Sequence, residues 1–404
     1  MTYKAVMFLL ILISGISAQP TVRSLQINGG SGIPVLTRVS DGYSGRINIS
    51  FDVESEQIPN MDIIFRFCDK NWKPYSALEF QNRLNNIDRN LAFESLPAGV
   101  AGADYYFNGY YPSSEVTFPF SGHYIFEIVN TYNHNEVYEY GKFFVVDQIV
   151  ELSVEIMDER FDDRNSFPFK LDEVHKITTA FSLPDGYFNN QIEEVRIYQN
   201  KVLEEPYVIR RDDYGRNRYF EWDGANRMKF IAKDVIPGNE YRQIDIRKAS
   251  KYPAPDAKAH FGGFDQSRFY SRAKRDNNGG FTLISPKNAE GDYLNVKFEL
   301  QLPKPIDEDI FLTGSFNFWE LWPIYKMEKK DDFYSIEIPL KRGVYDYQYV
   351  TGYLRDDEII NPDRVAIEGN FWETNNEYSV FLYYRTTELG GYDKIIGFER
   401  KTNN

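Results

Sequence analysis

Asn295-Val296-Lys297-Phe298-Glu299-Leu300-Gln301-Leu302 sets an apolar side chain at every second position and a polar one between. A strand turns successive side chains to opposite faces, so this stretch reads as β-structure buried on one side. Tyr334, Ile336, Ile338 and Leu340 repeat the pattern, and so do Tyr345, Tyr347 and Tyr349. Near the other end of the chain, Ile47, Ile49, Phe51 and Val53 alternate with Asn48, Ser50 and Asp52. The best helical candidate joins Leu78, Leu84, Ile87 and Leu91, but several Asn interrupt it. It reads as one short helix or an ordered loop. Short strands punctuated by Gly, Pro and Asn predict an all-β chain of packed sandwiches.

Composition agrees with that class. Of 404 residues, 30 are Tyr and 31 Phe, side chains that fit a half-buried pleated surface. Acidic residues outnumber basic ones, 60 to 46, for a net charge of −14, which argues against nucleic acid and anionic membrane surfaces as partners. The first residues read as an export leader over residues 1–18. Lys4 supplies the positive start, Ala5 to Ile13 the apolar run, and Gly15, Ser17 and Ala18 the small residues before a cut at Gln19. That run is shorter than the ~18–20 residues that span a bilayer. The mature chain is therefore expected outside the cytoplasm. Cys68 is the single cysteine, so hydrophobic cores and not disulfides must hold the units together.

Three units are predicted: residues 19–147, 148–290 and 291–404. The first closes with strong strands at Ser121–Val129 and Lys142–Val146. The middle unit is more polar, with a charged stretch at Asp158–Arg164 and an Arg-rich one at Arg210–Arg218. Chemistry-bearing patterns are sparse. His123, His134, His175 and His260 share no ligand spacing, and no metalloprotease, nucleophile-elbow or phosphate-loop sequence occurs. Cys68 follows the apolar run Ile63-Ile64-Phe65-Arg66-Phe67 and reads as a core thiol. Asp158, Glu159, Asp162 and Asp163 are interleaved with Arg160 and Arg164 and read as a solvated interdomain turn, not a calcium loop. These patterns predict a non-enzymatic chain with no cofactor and no metal.

The last unit carries Gly314-Ser315-Phe316-Asn317-Phe318-Trp319 and then Gly343-Val344-Tyr345-Asp346-Tyr347-Gln348-Tyr349. Strand, turn, strand and a Gly-led strand with alternating Tyr resemble the early-set, immunoglobulin-like sandwich of glycogen-binding modules. In that family the turn Trp stacks on sugar and a Lys between the strand aromatics holds the glucan. Trp319 matches the Trp, whereas Gln348 stands where the Lys would be.

Across nearly the whole mature chain, the order of motifs resembles the plug protein family of the bacterial type IX secretion system. The motifs are Val22–Gln26, Cys68-Asp69-Lys70-Asn71-Trp72-Lys73-Pro74, Tyr105–Tyr111 with Pro112, Ser121-Gly122-His123-Tyr124, and Pro237-Gly238-Asn239-Glu240-Tyr241-Arg242. Gly314–Trp319, Glu368-Gly369-Asn370-Phe371-Trp372 through Tyr378, and Tyr392–Gly397 complete the series. The resemblance implies three tandem immunoglobulin-like or early-set sandwiches. It also implies a periplasmic protein, held at the outer membrane through its partner, that binds the periplasmic mouth of a large outer-membrane translocon barrel. The channel would be sealed while no substrate carrier is engaged. Such a site is a surface, and exposed aromatic and Arg residues in ordered turns are its natural hot spots. Trp72, Tyr110, Tyr111, Arg242, Trp319 and Trp372 are the candidates. The alternative is an exported glycan-binding protein that uses Trp319 in the last unit.

Overall fold

The computed structural model describes residues 19–30, 32–40, 42–81, 85–161, 173–224 and 226–403. The leader expected over residues 1–18 lies outside the described residues. The chain is almost wholly β, as the alternation predicts.

Ten strands form the first sandwich: β1 (Thr21–Asn28), β2 (Val35–Val39), β3 (Gly42–Ser44), β4 (Ile47–Glu54), β5 (Met61–Cys68), β6 (Ile87–Asp88), β7 (Glu94–Ser95), β8 (Tyr105–Tyr111), β9 (Gly122–Asn130) and β10 (Asn133–Asp147). One sheet runs β1-β4-β8-β7, the other β3-β2-β10-β9-β5-β6. Their inner faces meet around Phe65, whose ring centroid lies 4.8–6.1 Å from those of Tyr111, Phe118, Phe126 and Phe143. Tilted and edge-on contacts of this kind add about 0.5–1.5 kcal/mol per pair beyond area burial. The helical candidate shrinks to one turn at Leu78–Gln81, while Ile87 joins β6 and Leu84 lies outside the described residues. Asn86 explains the change. It accepts the Phe65 N–H through its backbone and donates its side-chain amide to the Phe65 carbonyl, which ties the segment to β5 in extended form.

The middle sandwich begins with β11 (Ser153–Arg160), β12 (Glu173–Ser182), β13 (Ile192–Gln199), β14 (Tyr207–Arg210), β15 (Arg218–Trp222) and β16 (Arg227–Val235). The chain then enters β17 (Arg242–Asp245), β18 (Asp256–Lys258), β19 (Asp265–Gln266), β20 (Phe281–Leu283), β21 (Tyr293–Gln301), β22 (Asp309–Gly314), β23 (Glu328–Lys330), β24 (Phe333–Lys341), β25 (Gly343–Arg355) and β26 (Glu358–Asp363). It finishes with β27 (Glu377–Arg385) and β28 (Asp393–Thr402).

The boundary predicted at 290/291 does not match the strand pairing. The middle sandwich packs β11-β12-β16-β15 on β14-β13-β27-β28, so the last two strands of the chain complete it. Val195 pairs with Leu382 and Ile197 with Val380, and all four share one core with Ile209 and Ile396. The third sandwich is inserted between β16 and β27. Its sheets are β18-β21-β24-β23, with β19 on β21, and β17-β25-β20, with β22 and β26 also on β25. The physical reason is edge protection: β17 to β20 cap ladders that would otherwise present unpaired N–H and C=O groups.

A second correction concerns Asp158–Arg164. Asp158, Glu159 and Arg160 continue β11 as a strand and not a turn, pairing with His175, Val174 and Glu173. Asp162 and Asp163 lie outside the described residues.

Candidate partner interface

The six sequence-selected residues do not form one surface. Tyr111 is 1% exposed and donates its hydroxyl to Asp88 inside the first sandwich. Trp319 is also 1% exposed; its indole N–H donates to the Gly279 carbonyl at 2.9 Å, and Tyr241 covers its ring at 4.0 Å. A ring so covered cannot stack on sugar. Arg242 is buried, with Nε 2.9 Å from Glu368, Nη1 3.1 Å from Asp265, and its guanidinium over the Tyr349 ring. Trp72 and Trp372 are half-buried. Tyr110 alone of the six is more than half exposed.

Local sequence explains these placements. Asp69 accepts the N–H groups of Asn71 and Lys73 at 2.8 and 3.0 Å, which curls Cys68–Pro74 into a polar turn. The turn lays Trp72 against His123 and Phe144, at 4.2 and 5.1 Å between ring centroids. Trp372 sits where its carbonyl accepts from His175 Nε2 at 3.0 Å, with Arg160 over its ring.

Most of these residues belong instead to the joints between sandwiches. Between the first and middle units, Phe144 stacks on Phe381 at 4.5 Å and the Tyr383 hydroxyl meets His123 Nε2 at 2.6 Å. Burial pushes the His123 imidazole well below its ordinary value, so the ring stays neutral in this contact. Between the first and third units, Asp52 accepts Lys341 Nζ at 2.6 Å and the Tyr293 hydroxyl at 2.8 Å.

The joint between the middle and third units is the most polar. Glu240 accepts the N–H groups of Asn375 and Asp276, and Asn200 donates to the Tyr241 hydroxyl at 3.3 Å. Burial alone would raise the Glu368 carboxyl, but the guanidinium groups of Arg242 and Arg268 outweigh it and hold the carboxyl below its ordinary range. Asp276 differs: burial and the nearby Asp346 and Glu240 carboxylates outweigh the N–H groups of Tyr241 and Asn278 and push it up to about 7. A cleft of about 460 Å³ opens beside this joint, lined by Tyr207, Tyr241, Gln348 and Arg364. Gln348 Nε2 and Arg364 Nη1 are buried beside it without a hydrogen-bond partner among the described residues.

Other aromatic rings are more exposed than these. On the middle sandwich, Phe188, Trp222 and Tyr214 are 61%, 67% and 86% exposed. A cleft of about 400 Å³ runs between the loop before β13 and the β15–β16 hairpin, with Arg211 on its wall. None of these residues was among the six candidates. The Arg-rich stretch Arg210–Arg218, four residues short of Trp222, was the available signal. Among the described residues no three His, Cys, Asp or Glu side chains converge as a metal site, and no helix is long and apolar enough to cross a membrane.

No family model matches the chain, and no curated protein does. Its fold is similar to the crystal structure of a hypothetical protein from Parabacteroides merdae, with a TM-score of 0.77 and 20% sequence identity over 95% of this chain and 97% of that one. At that identity the likeness concerns the fold.

Proposed function

We propose that this chain is a periplasmic plug. It binds the periplasmic opening of the type IX secretion outer-membrane translocon and seals it when no substrate carrier is engaged. The observation that carries the reading is the set of three joints, each tying one sandwich to another through buried contacts. A wide aqueous pore is closed by shape, so its stopper must keep its form under traffic. Three sandwiches on flexible linkers would not, since relative domain motion is the default where interfaces are small. The motif order resembling the plug family supports the same reading from the sequence side. Cys68–Pro74, Ser121–Tyr124, Pro237–Arg242 and Glu368–Tyr378 all fall at the joints, where they would preserve the stopper's shape. The role is occlusion by surface complementarity and not catalysis.

The test is recovery of the native complex. Affinity-tagged protein, extracted from the outer membrane in mild detergent, should bring down a large barrel protein in near-stoichiometric amount. Isolation only as a free monomer, with the translocon demonstrably intact in the same extract, would remove the proposal.

A further inference from the structure

We infer that the groove between the first and third sandwiches is a docking site, and that its occupant is a protein segment inserting an arginine flanked by apolar residues. The inference goes beyond the plug reading and does not depend on it.

The groove lies between β1 and β10 on one side and residues 315–325 with β24 on the other, and encloses about 540 Å³. Tyr140 and Trp322 approach each other from the two sandwiches, with ring centroids 6.2 Å apart and planes tilted by 36°. Phe316 and Tyr325 make a second ring pair at 5.9 Å. All four rings line the groove and none is fully buried. Beyond the rings the walls are aliphatic, with Leu25, Ile336 and Ile338, and Ile324, 78% exposed, extends them toward solvent. An apolar concavity of this kind, left open by both sandwiches, is the form an interaction site takes.

Charge selects the occupant. The charged side chains lining the groove are Arg23, Glu139, Glu320 and Glu337. Arg23 is committed to Glu54 at 2.5 Å, and Glu320 to Lys142 at 2.9 Å, a lysine that Glu204 shares. Glu139 and Glu337 form no ion pair among the described residues. The lysines behind the wall do not reverse the balance: Lys341 is taken by Asp52, and Lys297, across the ladder from Glu337, by Glu299 at 2.7 Å. Glu139 is partly buried and accepts the Tyr140 N–H at 3.1 Å. Burial and the nearby Glu320 carboxylate outweigh that N–H and push its carboxyl above the ordinary range. Its charge also reaches the Tyr325 hydroxyl and opposes ionisation there. A desolvated carboxylate without a cation, set among ring faces, is the complement of an organic cation. The net charge of −14 draws cations to the whole surface, whereas the rings and the desolvated carboxylate make this groove selective. A guanidinium suits it better than an ammonium, because its plane stacks on rings while its N–H groups reach a carboxylate. It fills only part of the groove, and the aliphatic walls call for apolar neighbours, which a chain segment brings. Anionic lipid headgroups are repelled by Glu139 and Glu337.

The test is fluorescence anisotropy of the purified protein with short fluorescein-labelled peptides. Each carries one central Arg between Leu, Val or Phe neighbours and has a twin with citrulline, the neutral isostere of arginine. The best Arg peptide should bind at least about tenfold more tightly than its twin, the worth of a charge-assisted contact. Glu139→Gln should bring the two within about twofold of each other, since the charge that separates them is gone. Trp322→Ala should weaken the Arg peptide about fivefold through the lost ring face. Glu139→Gln keeps the shape and removes a charge that no cation offsets, so its thermal melting should match or exceed wild type, which separates lost binding from lost fold. Glu221→Gln, exposed on the middle sandwich, should change nothing. If no Arg peptide binds more tightly than its citrulline twin, or if Glu139→Gln keeps the difference, the inference is overturned. Choline binding more tightly than the best peptide would assign the groove to small organic cations and overturn it as well. None of these results touches the plug reading, which stands or falls on recovery of the barrel.

Discussion

Lys341 and Asp52 are charges of opposite sign from different sandwiches, 3% and 2% exposed at the side chain. Their attraction must offset the cost of taking both out of water, and the Tyr293 hydroxyl helps by donating to the same carboxylate oxygen. Removing one partner strands the other charge. Lys341→Met should therefore cost about 3–5 kcal/mol, read from urea midpoints, while adding Asp52→Asn should return part of that loss. Strict additivity of the two changes would show that the pair is not coupled. Asp276 carries the opposite lesson. Its carboxyl is raised in the fold, so proton binding stabilises the native state, and stability falls as pH rises from about 4 toward 7. Asp276→Asn removes that dependence. Relative to wild type, the variant should gain on the order of 2 kcal/mol between pH 5 and 8. A constant offset across that range would mean that Asp276 does not titrate there. Residue type misled the sequence reading most at this scale. Arg242 and Trp319 were chosen because Arg and Trp dominate interfaces, yet the same side chains fill joints within one chain. What separates the two cases is coverage: Glu368 on Arg242 and Tyr241 on Trp319 arrive from 126 and 78 positions away, and no local pattern announces them.

At the scale of elements, alternation located strands well and their surroundings poorly. β4, β21, β24 and β25 occupy the stretches that alternate, with Val296, Phe298 and Leu300 turned inward. Alternation predicts one solvated face, but the first ten residues of β25 are all buried. Asp346, on the face away from Tyr345 and Tyr347, accepts the N–H groups of Asn277 and Gly279. β4 likewise buries Asp52 because the third sandwich sits on it. The strands that correct the boundary, β17 to β20, are two to four residues long, too short to show any period. Their pairing has a direct consequence. A fragment of residues 19–290 lacks β27 and β28, half of one sheet of the middle sandwich. It should keep a protease-resistant core ending near residue 147 and digest rapidly beyond it. Protection of 148–290 in that fragment would restore the sequence-derived boundary and discard the inserted arrangement.

For the whole molecule, the three joints close a ring: first to middle through Phe144 and Phe381, middle to third through Glu240 and Asn375, third to first through Lys341 and Asp52. Each sandwich is thus held by both others, and the chain crosses from the middle unit into the third and back. Unfolding any one of them exposes two buried joints at once, which ties the three stabilities together. We therefore expect one cooperative urea transition, with tryptophan fluorescence and far-UV circular dichroism coincident, in place of the staggered steps of linked domains. The probes suit the question, because the five Trp are spread over all three sandwiches and their joints, so loss of any unit changes the summed emission. Cutting both joints of the first sandwich, with Phe144→Ala and Lys341→Met together, should split the curve and release that sandwich as its own step. Either change alone leaves one joint of the first sandwich in place and should move the midpoint without splitting it. A wild-type curve already resolved into independent steps would mean that the joints are too weak to couple the units. The stopper would then flex, and rigidity would no longer account for occlusion.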